Sequence, residues 1–351
     1  MSRINRPQRI FGTVRAFAEK GKMLSKGELE SLSDSRDLDE LVTKLKNTAY
    51  TDVMAKVQKP FNAEKIENLL REDLVDFHAS MAKIVTRQDL LNAYYTKYII
   101  WNLKVILKGK AMGRTYEEIL PHVNMRAEEL IGRRDIVVKA LVAKDLDEAI
   151  TTLQSSEFGA DVAGAAQAYK EKGDLQIFDV YLDHSYYQAL ATAYTVIGKP
   201  ADTHPLIGLD VDSYNTLSTL RAKYWGLTET HIKSLRIKPT FRVQEDILDK
   251  MANAENVKEA ISVFASTVYK NVIPNDANEI EMISKIEVGF ERLMYKRAVT
   301  SYGKMFSYST MIAAVKLKSI EVRNLGAIAF GVEQKIGSKI IMPRLLTVAE
   351  K

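Results

Sequence analysis

Apolar and polar positions alternate with a helical period in three separated stretches of the chain: DLDELVTKL (37–45), DLDEAITTL (145–153) and NVKEAISVF (256–264). Superposing Asp37, Asp145 and Asn256 brings Leu38, Leu146 and Val257 into register, then Val42, Ile150 and Ile261, then Leu45, Leu153 and Phe264. The spacing i, i+4, i+7 predicts one buried face of an amphipathic helix each time. The same register carries Glu40, Glu148 and Glu259 on the polar side. Past each helix comes a hydroxyl residue (Thr48, Ser156, Thr267), followed two positions later by an aromatic one (Tyr50, Phe158, Tyr269).

Further blocks recur in the same order. IENLLREDL (66–74), FDVYLDHSY (178–186) and IEVGFERLM (286–294) each open a long helical pattern. Asn102, Asn215 and Asn324 then recur, with Gly109, Ala222 and Gly331 seven residues on, and GRTYEEILPHV (113–123) resembles GSKIIMPRLL (337–346). The three main blocks repeat at intervals of 108 to 113 residues, far beyond the roughly 20–50 residues of a solenoid repeat. The pattern predicts three tandem copies of one all-α domain, each with a core of its own, over 1–113, 114–226 and 227–351. Two breaker clusters, GKPADTHPLIGLD (198–210) and NVIPNDANE (271–279), fall inside the copies and are read as loops between a domain's helices.

Composition agrees with a globular, helix-rich chain: 351 residues, 46% hydrophobic and 27% charged, with 17 Gly and 8 Pro. There is no cysteine, which excludes a disulfide framework and a thiolate metal site and suits a reducing cytoplasm. No run approaches the roughly 18 apolar residues of a membrane span, and MSRINRPQRIF at the N-terminus lacks the apolar segment of a secretory signal. Membrane association is therefore expected to be peripheral. The net charge of +5, from 50 Lys+Arg against 45 Asp+Glu, reads as solvated faces.

Candidate chemistry is sparse. The chain has no GxxxxGK followed by Ser or Thr, and no GxGxxG after a strand. The five histidines, His78, His122, His184, His204 and His231, form no HExxH and no pair at ligand spacing. A carboxylate repeated at three equivalent helix positions is a structural or contact residue rather than a catalytic acid. Asp179 and Asp183 lie i, i+4, but the other copies hold Glu67 with Arg71 and Glu287 with Glu291, so the pair is not kept to one chemistry. No catalytic, cofactor-binding or metal-binding residue is predicted, and no cofactor. LRAKYWGLTETHIKSLRIKPTFR (220–242) mixes cations with Tyr224, Trp225 and Phe241, as base stacking requires. It is read instead as a solvated joining segment or a protein-contact patch. Lys108 and Lys110, matched by Arg221 and Lys223 after the repeated Asn, are the candidate partner contacts.

Three helical copies in this order, with NTAYTDVM after DLDELVTKL, NLKVILKGK at 102–110 and FGTVRAFAEKGKMLS at 11–25, resemble the C subunits of the A-type and V-type ATP synthases, relatives of the d subunit of the eukaryotic V-ATPase. The resemblance spans nearly the whole chain. That family places an acidic residue three positions before each repeated Asn. Asp212 and Glu321 match, Ile99 does not, and Phe330 stands where Lys108 and Arg221 hold a cation. The resemblance implies a pseudo-threefold funnel of three helical domains without an active site. It implies a place on the cytoplasmic face of the membrane, between the rotor ring and the central-stalk shaft, with no nucleic acid or small-molecule substrate. The competing expectations are a helical-array adaptor or nucleic-acid-binding protein, and a metal-free helical enzyme.

Overall fold

The computed structural model describes residues 6–84, 89–275, 278–303 and 305–347. Among these there are helices, turns and irregular segments and no strand, so the chain is all-α as its periodicity predicts.

The three repeated stretches are helices Leu38–Leu45, Leu146–Leu153 and Val257–Phe264. Each begins the same way. Asp37, Asp145 and Asn256 stand in extended conformation, with φ of −155°, −146° and −146°. Each side chain accepts from the backbone N–H of Glu40, Glu148 or Glu259, at 2.9, 2.9 and 3.0 Å. Each Glu turns back, its Oε2 accepting from the N–H of Arg36, Lys144 or Glu255. The repeated acids thus satisfy backbone donors that a helix start leaves unpaired. The Arg36 side chain and backbone, with Lys44, hold the Glu40 carboxyl down to about 2.

Eight of the nine stripe positions are buried; Leu146 is only half-buried. The hydroxyl residues close the turn that follows. Thr48 Oγ1 donates to Leu45 O at 2.7 Å and accepts from Tyr50 N at 3.2 Å. Ser156 does the same with Leu153 and Phe158, and Thr267 Oγ1 accepts from Tyr269 N at 3.2 Å. Tyr50, Phe158 and Tyr269 are all buried.

Two long helices follow after each of the three stretches: Ala63–Ala82 and Asp89–Ala111, Gln176–Val196 and His204–Tyr224, Glu279–Ser301 and Tyr308–Glu333. The loop expected over 198–210 ends at Thr203. Pro205 sits in the first turn of His204–Tyr224, where its missing N–H has no intrahelical partner to lose. In the second breaker cluster, Lys270–Val272 is a single 3-10 turn, and Asp276 and Ala277 lie outside the described residues.

The chain packs as two compact units, Met1–Gln88 with Tyr295–Lys351, and Asp89–Met294. In the first, Tyr308–Glu333 lies along Ala63–Ala82 and against Arg6–Lys20. In the second, Asp89–Ala111 lies along Gln176–Val196, and His204–Tyr224 packs on Glu245–Asn253 and Val257–Phe264. His204–Tyr224 also packs on Gln176–Val196.

Candidate functional site

Each repeated Asn forms the same two-bond clamp. Asn102 Oδ1 accepts from Asn124 N at 2.8 Å and its Nδ2 donates to Asn124 O at 3.0 Å. Asn215 holds Ile237 N and O at 2.8 and 3.0 Å, and Asn324 holds Leu346 N and O at 3.1 and 2.9 Å. In every case the partner lies 22 residues ahead. A carboxamide is the side chain that offers one donor face and one acceptor face, so it pairs with a strand-like backbone segment as another backbone would. Seven residues on, a small residue lets the returning segment close in. A Cβ on Gly109 would lie 2.7 Å from Ile119 Cγ1, and one on Gly331 would lie 2.4 Å from Ile341 Cδ1.

The clamp of the first copy carries an extra carboxyl. Glu128 Oε1 accepts from Asn102 Nδ2 at 2.9 Å, while its Oε2 is buried without a hydrogen-bond partner. Burial pushes this carboxyl up to about 7, against the pull of Asn102 and Arg133.

One turn before two of the clamps, a buried acid receives a tyrosine. Tyr269 Oη donates to Asp212 Oδ2 at 2.7 Å, and the N–H groups of Arg242 and Val243 add bonds of 2.9 and 3.2 Å. Tyr50 Oη donates to Glu321 Oε1 at 2.6 Å, and Leu24 N to Glu321 Oε2 at 2.6 Å. Burial raises both carboxyls despite these donors. Lys318 Nζ completes the second cluster, 3.0 Å from Tyr50 Oη, 2.9 Å from an Asp73 carboxylate oxygen and 4.1 Å above the Tyr50 ring.

Three of the four candidate contact cations bond within the chain, and the fourth is buried. Lys108 Nζ bonds Asp179 at 2.5 Å and Arg221 bonds Glu287 at 2.7 Å, both across neighbouring long helices. Lys223 Nζ donates to Ala252 O at 3.2 Å, and Lys110 is buried. Sequence reasoning missed Lys104, which bonds Asp183 at 2.6 Å. The signal was present as two i, i+4 pairs of opposite charge, Lys104 with Lys108 and Asp179 with Asp183, one helical turn apart on facing helices. Where Phe330 replaces the cation, Glu67 turns to Arg71 in its own helix, at 2.5 Å.

In the mixed basic stretch 220–242 Trp225 and Phe241 are buried, while Tyr224 is 44% exposed. Three of its cations pair within the chain, Lys233 with Glu229, Arg236 with Asp249 and Lys238 with Glu245. His184 Nδ1 lies 2.9 Å from Asp161 and His204 Nδ1 lies 3.1 Å from Tyr194 Oη. Among the described residues no cluster of His, Asp and Glu has the arrangement of a metal site.

The sequence profile of the ATP synthase (C/AC39) subunit family matches residues 12–344. The chain belongs to that family. It is 26% identical to the A-type ATP synthase C subunit of Pyrococcus horikoshii, over 93% of this chain and 86% of that protein. It is 24% identical to that of Methanothermobacter thermautotrophicus, over 91% of this chain and 82% of that protein. The A-type ATP synthase C subunit of Methanocaldococcus jannaschii is 22% identical, over 95% of this chain and 85% of that protein. Within this family member the departure at Ile99 has a counterpart at Phe158. Tyr50 and Tyr269 meet an acid three positions before a repeated Asn, whereas the second copy has Phe158, without a hydroxyl, and the matching acid position is Ile99, buried and apolar. The loss of the donor and the loss of the acceptor go together.

Proposed function

We propose that the protein is the non-catalytic central-stalk component that couples the rotor shaft to the membrane rotor ring of an A/V-type, proton- or sodium-translocating ATP synthase or ATPase. In this reading it is built from three helical repeats, 1–113, 114–226 and 227–351, and sits peripherally on the cytoplasmic face. The observation that carries the reading is the family match over residues 12–344, with relatives named as C subunits of A-type ATP synthases. The geometry supports it physically. A part that transmits torque must not shear between its helices, and here the recurrent polar side chains are spent on ties between elements: the Asn clamps, the tyrosine–acid pairs and the Lys108–Asp179 and Arg221–Glu287 bridges. No helix among the described residues is long and apolar enough to cross a membrane, so attachment through the ring is the simplest arrangement.

Depletion of the protein from membrane vesicles carrying the enzyme tests the proposal. ATP hydrolysis is expected to persist while ATP-driven ion transport collapses, and the purified chain is expected to hydrolyse no nucleotide and to bind stalk and ring. Transport that stays coupled to hydrolysis without the protein would refute the reading.

A further inference from the structure

The first compact unit contains a cavity of about 410 Å³ between the helix Lys26–Ser33, the last two turns of Glu279–Ser301 and the middle of Tyr308–Glu333. Its size falls within the roughly 300–1,000 Å³ of small-molecule sites. The walls are largely aliphatic: Leu29, Leu317 and Leu346 are buried, and Leu24, Val299 and Ile320 are half-buried. Two of the polar residues in the wall are already spent within the fold. Glu321 accepts from Tyr50 Oη and from Leu24 N, both at 2.6 Å, and Asn324 holds Leu346 in its clamp.

Besides Glu321, the charged side chains lining the cavity are Lys20 and Lys26. Lys20 Nζ stacks 4.5 Å above the Tyr302 ring, and among the described residues no carboxylate lies within ion-pair distance of it. Lys26 Nζ lies 3.7 Å from Glu30, longer than the roughly 2.7–2.9 Å of a charge-assisted hydrogen bond. An aliphatic cavity lined by ammonium groups suits an alkyl chain with an anionic head. Burying the chain removes apolar area from water, whereas a cationic head would stand against like charge. We propose that the cavity binds a single-chain anionic amphiphile, a fatty carboxylate or an alkyl phosphate, with the chain among the aliphatic side chains and the head on Lys20 and Lys26. This goes beyond the coupling role and does not depend on it, since ligand binding is read on the isolated chain and coupling only on the intact enzyme.

Calorimetric titration of the purified full chain with alkyl ligands, below their micelle concentrations, tests the site. Octanoate, decanoate and dodecanoate are expected to saturate a single site, binding about fourfold more tightly for each added methylene until the cavity is full. Dodecyl phosphate against dodecanoate distinguishes the two head groups, and dodecyltrimethylammonium is expected to bind roughly tenfold more weakly than the better of them. Ile320→Trp, which fills the cavity, is expected to abolish saturable binding, and Lys20→Glu to weaken it roughly five- to tenfold. Phe11→Asp, at an exposed apolar position outside the cavity, leaves it unchanged. Circular dichroism melts check that the variants fold, and Val299→Phe replaces Ile320→Trp if that variant does not. No saturable binding by wild type, equal affinity for the cationic ligand, or a folded cavity-filling variant that binds as wild type does would each overturn the proposal.

Discussion

Tyr50 and Glu321, 271 residues apart in sequence, share a buried hydrogen bond of 2.6 Å. The tyrosine closes the turn after the first capped helix, and the acid stands on Tyr308–Glu333 near the other end of the chain. The bond therefore ties the two ends of the sequence within one compact unit. Tyr269 and Asp212 make the same bond in the other unit.

Removing one partner of such a pair leaves a buried polar atom unsatisfied. Tyr50→Phe and Glu321→Gln are each expected to cost about 1–3 kcal/mol in urea unfolding. The double variant is expected to cost less than the two together, with a coupling of about 0.5–3 kcal/mol. Strict additivity in this double-mutant cycle would show that the bond contributes nothing to stability.

The Asn clamp is less forgiving, because one carboxamide satisfies both a backbone N–H and a backbone C=O. Asn215→Ala strands both groups of Ile237 in a buried setting and is expected to lower stability by about 2–4 kcal/mol. Asn215→Asp keeps the acceptor but brings a charge into the site, and is expected to do no better above pH 7 than the alanine variant. A urea midpoint unchanged in Asn215→Ala would mean that water replaces the clamp.

Much of this local architecture was legible in the sequence. The i, i+4, i+7 stripes, the repeated cap acids and the hydroxyl–aromatic pairs are set by interactions within a few residues, and such interactions leave fixed spacings. What each long helix packs on was not legible. Periodicity marks which face is buried and is silent on the partner, so the repeat register sets Tyr50 and Glu321 each beside its own equivalents and never beside each other. The joint change at Phe158 and Ile99 was the available clue. The carboxylates that Lys108 and Arg221 bond lie 71 and 66 residues away, a separation that no local spacing in the sequence marks. Pro205 marked a loop because a breaker in the first turn of a helix looks the same in sequence as one in a loop.

The bridge from Lys108 to Asp179 is part-exposed on both sides, and a pair of this kind contributes no more than about 1 kcal/mol. Lys108→Ala is therefore expected to shift the urea midpoint little. Lys108→Glu, which sets a like charge against Asp179, is expected to cost about 1–2 kcal/mol. Pull-down of the stalk and ring proteins by the same variants, with Lys110, Arg221 and Lys223 reversed alongside, separates an internal tie from a partner contact. Reduced stability with unchanged binding at low and moderate salt assigns these cations to the inside of the protein, and loss of binding without loss of stability assigns them to the interface.

Glu128 gives the unfolding curve a direction in pH. Its carboxyl titrates near 4.5 when unfolded and is pushed up to about 7 in the fold by burial, so across that interval the folded state holds a proton that the unfolded state has released. Stability is greatest at the acid side of the window and falls as pH rises from about 4.5 to about 7, by at most roughly 3 kcal/mol from this group. Acids with depressed values, such as Glu40 and Glu28, act the other way, but their contribution is lost only as pH drops below the normal carboxylate range. The difference between wild type and Glu128→Gln isolates the one carboxyl. The variant is expected to match or fall below wild type near pH 5, to exceed it at pH 8, and to keep the Asn102 clamp, which needs only an oxygen acceptor at that position. Urea melts at half-unit steps from pH 4.5 to 8 measure it, and parallel curves for the two proteins would show that Glu128 is ionised in the folded chain throughout.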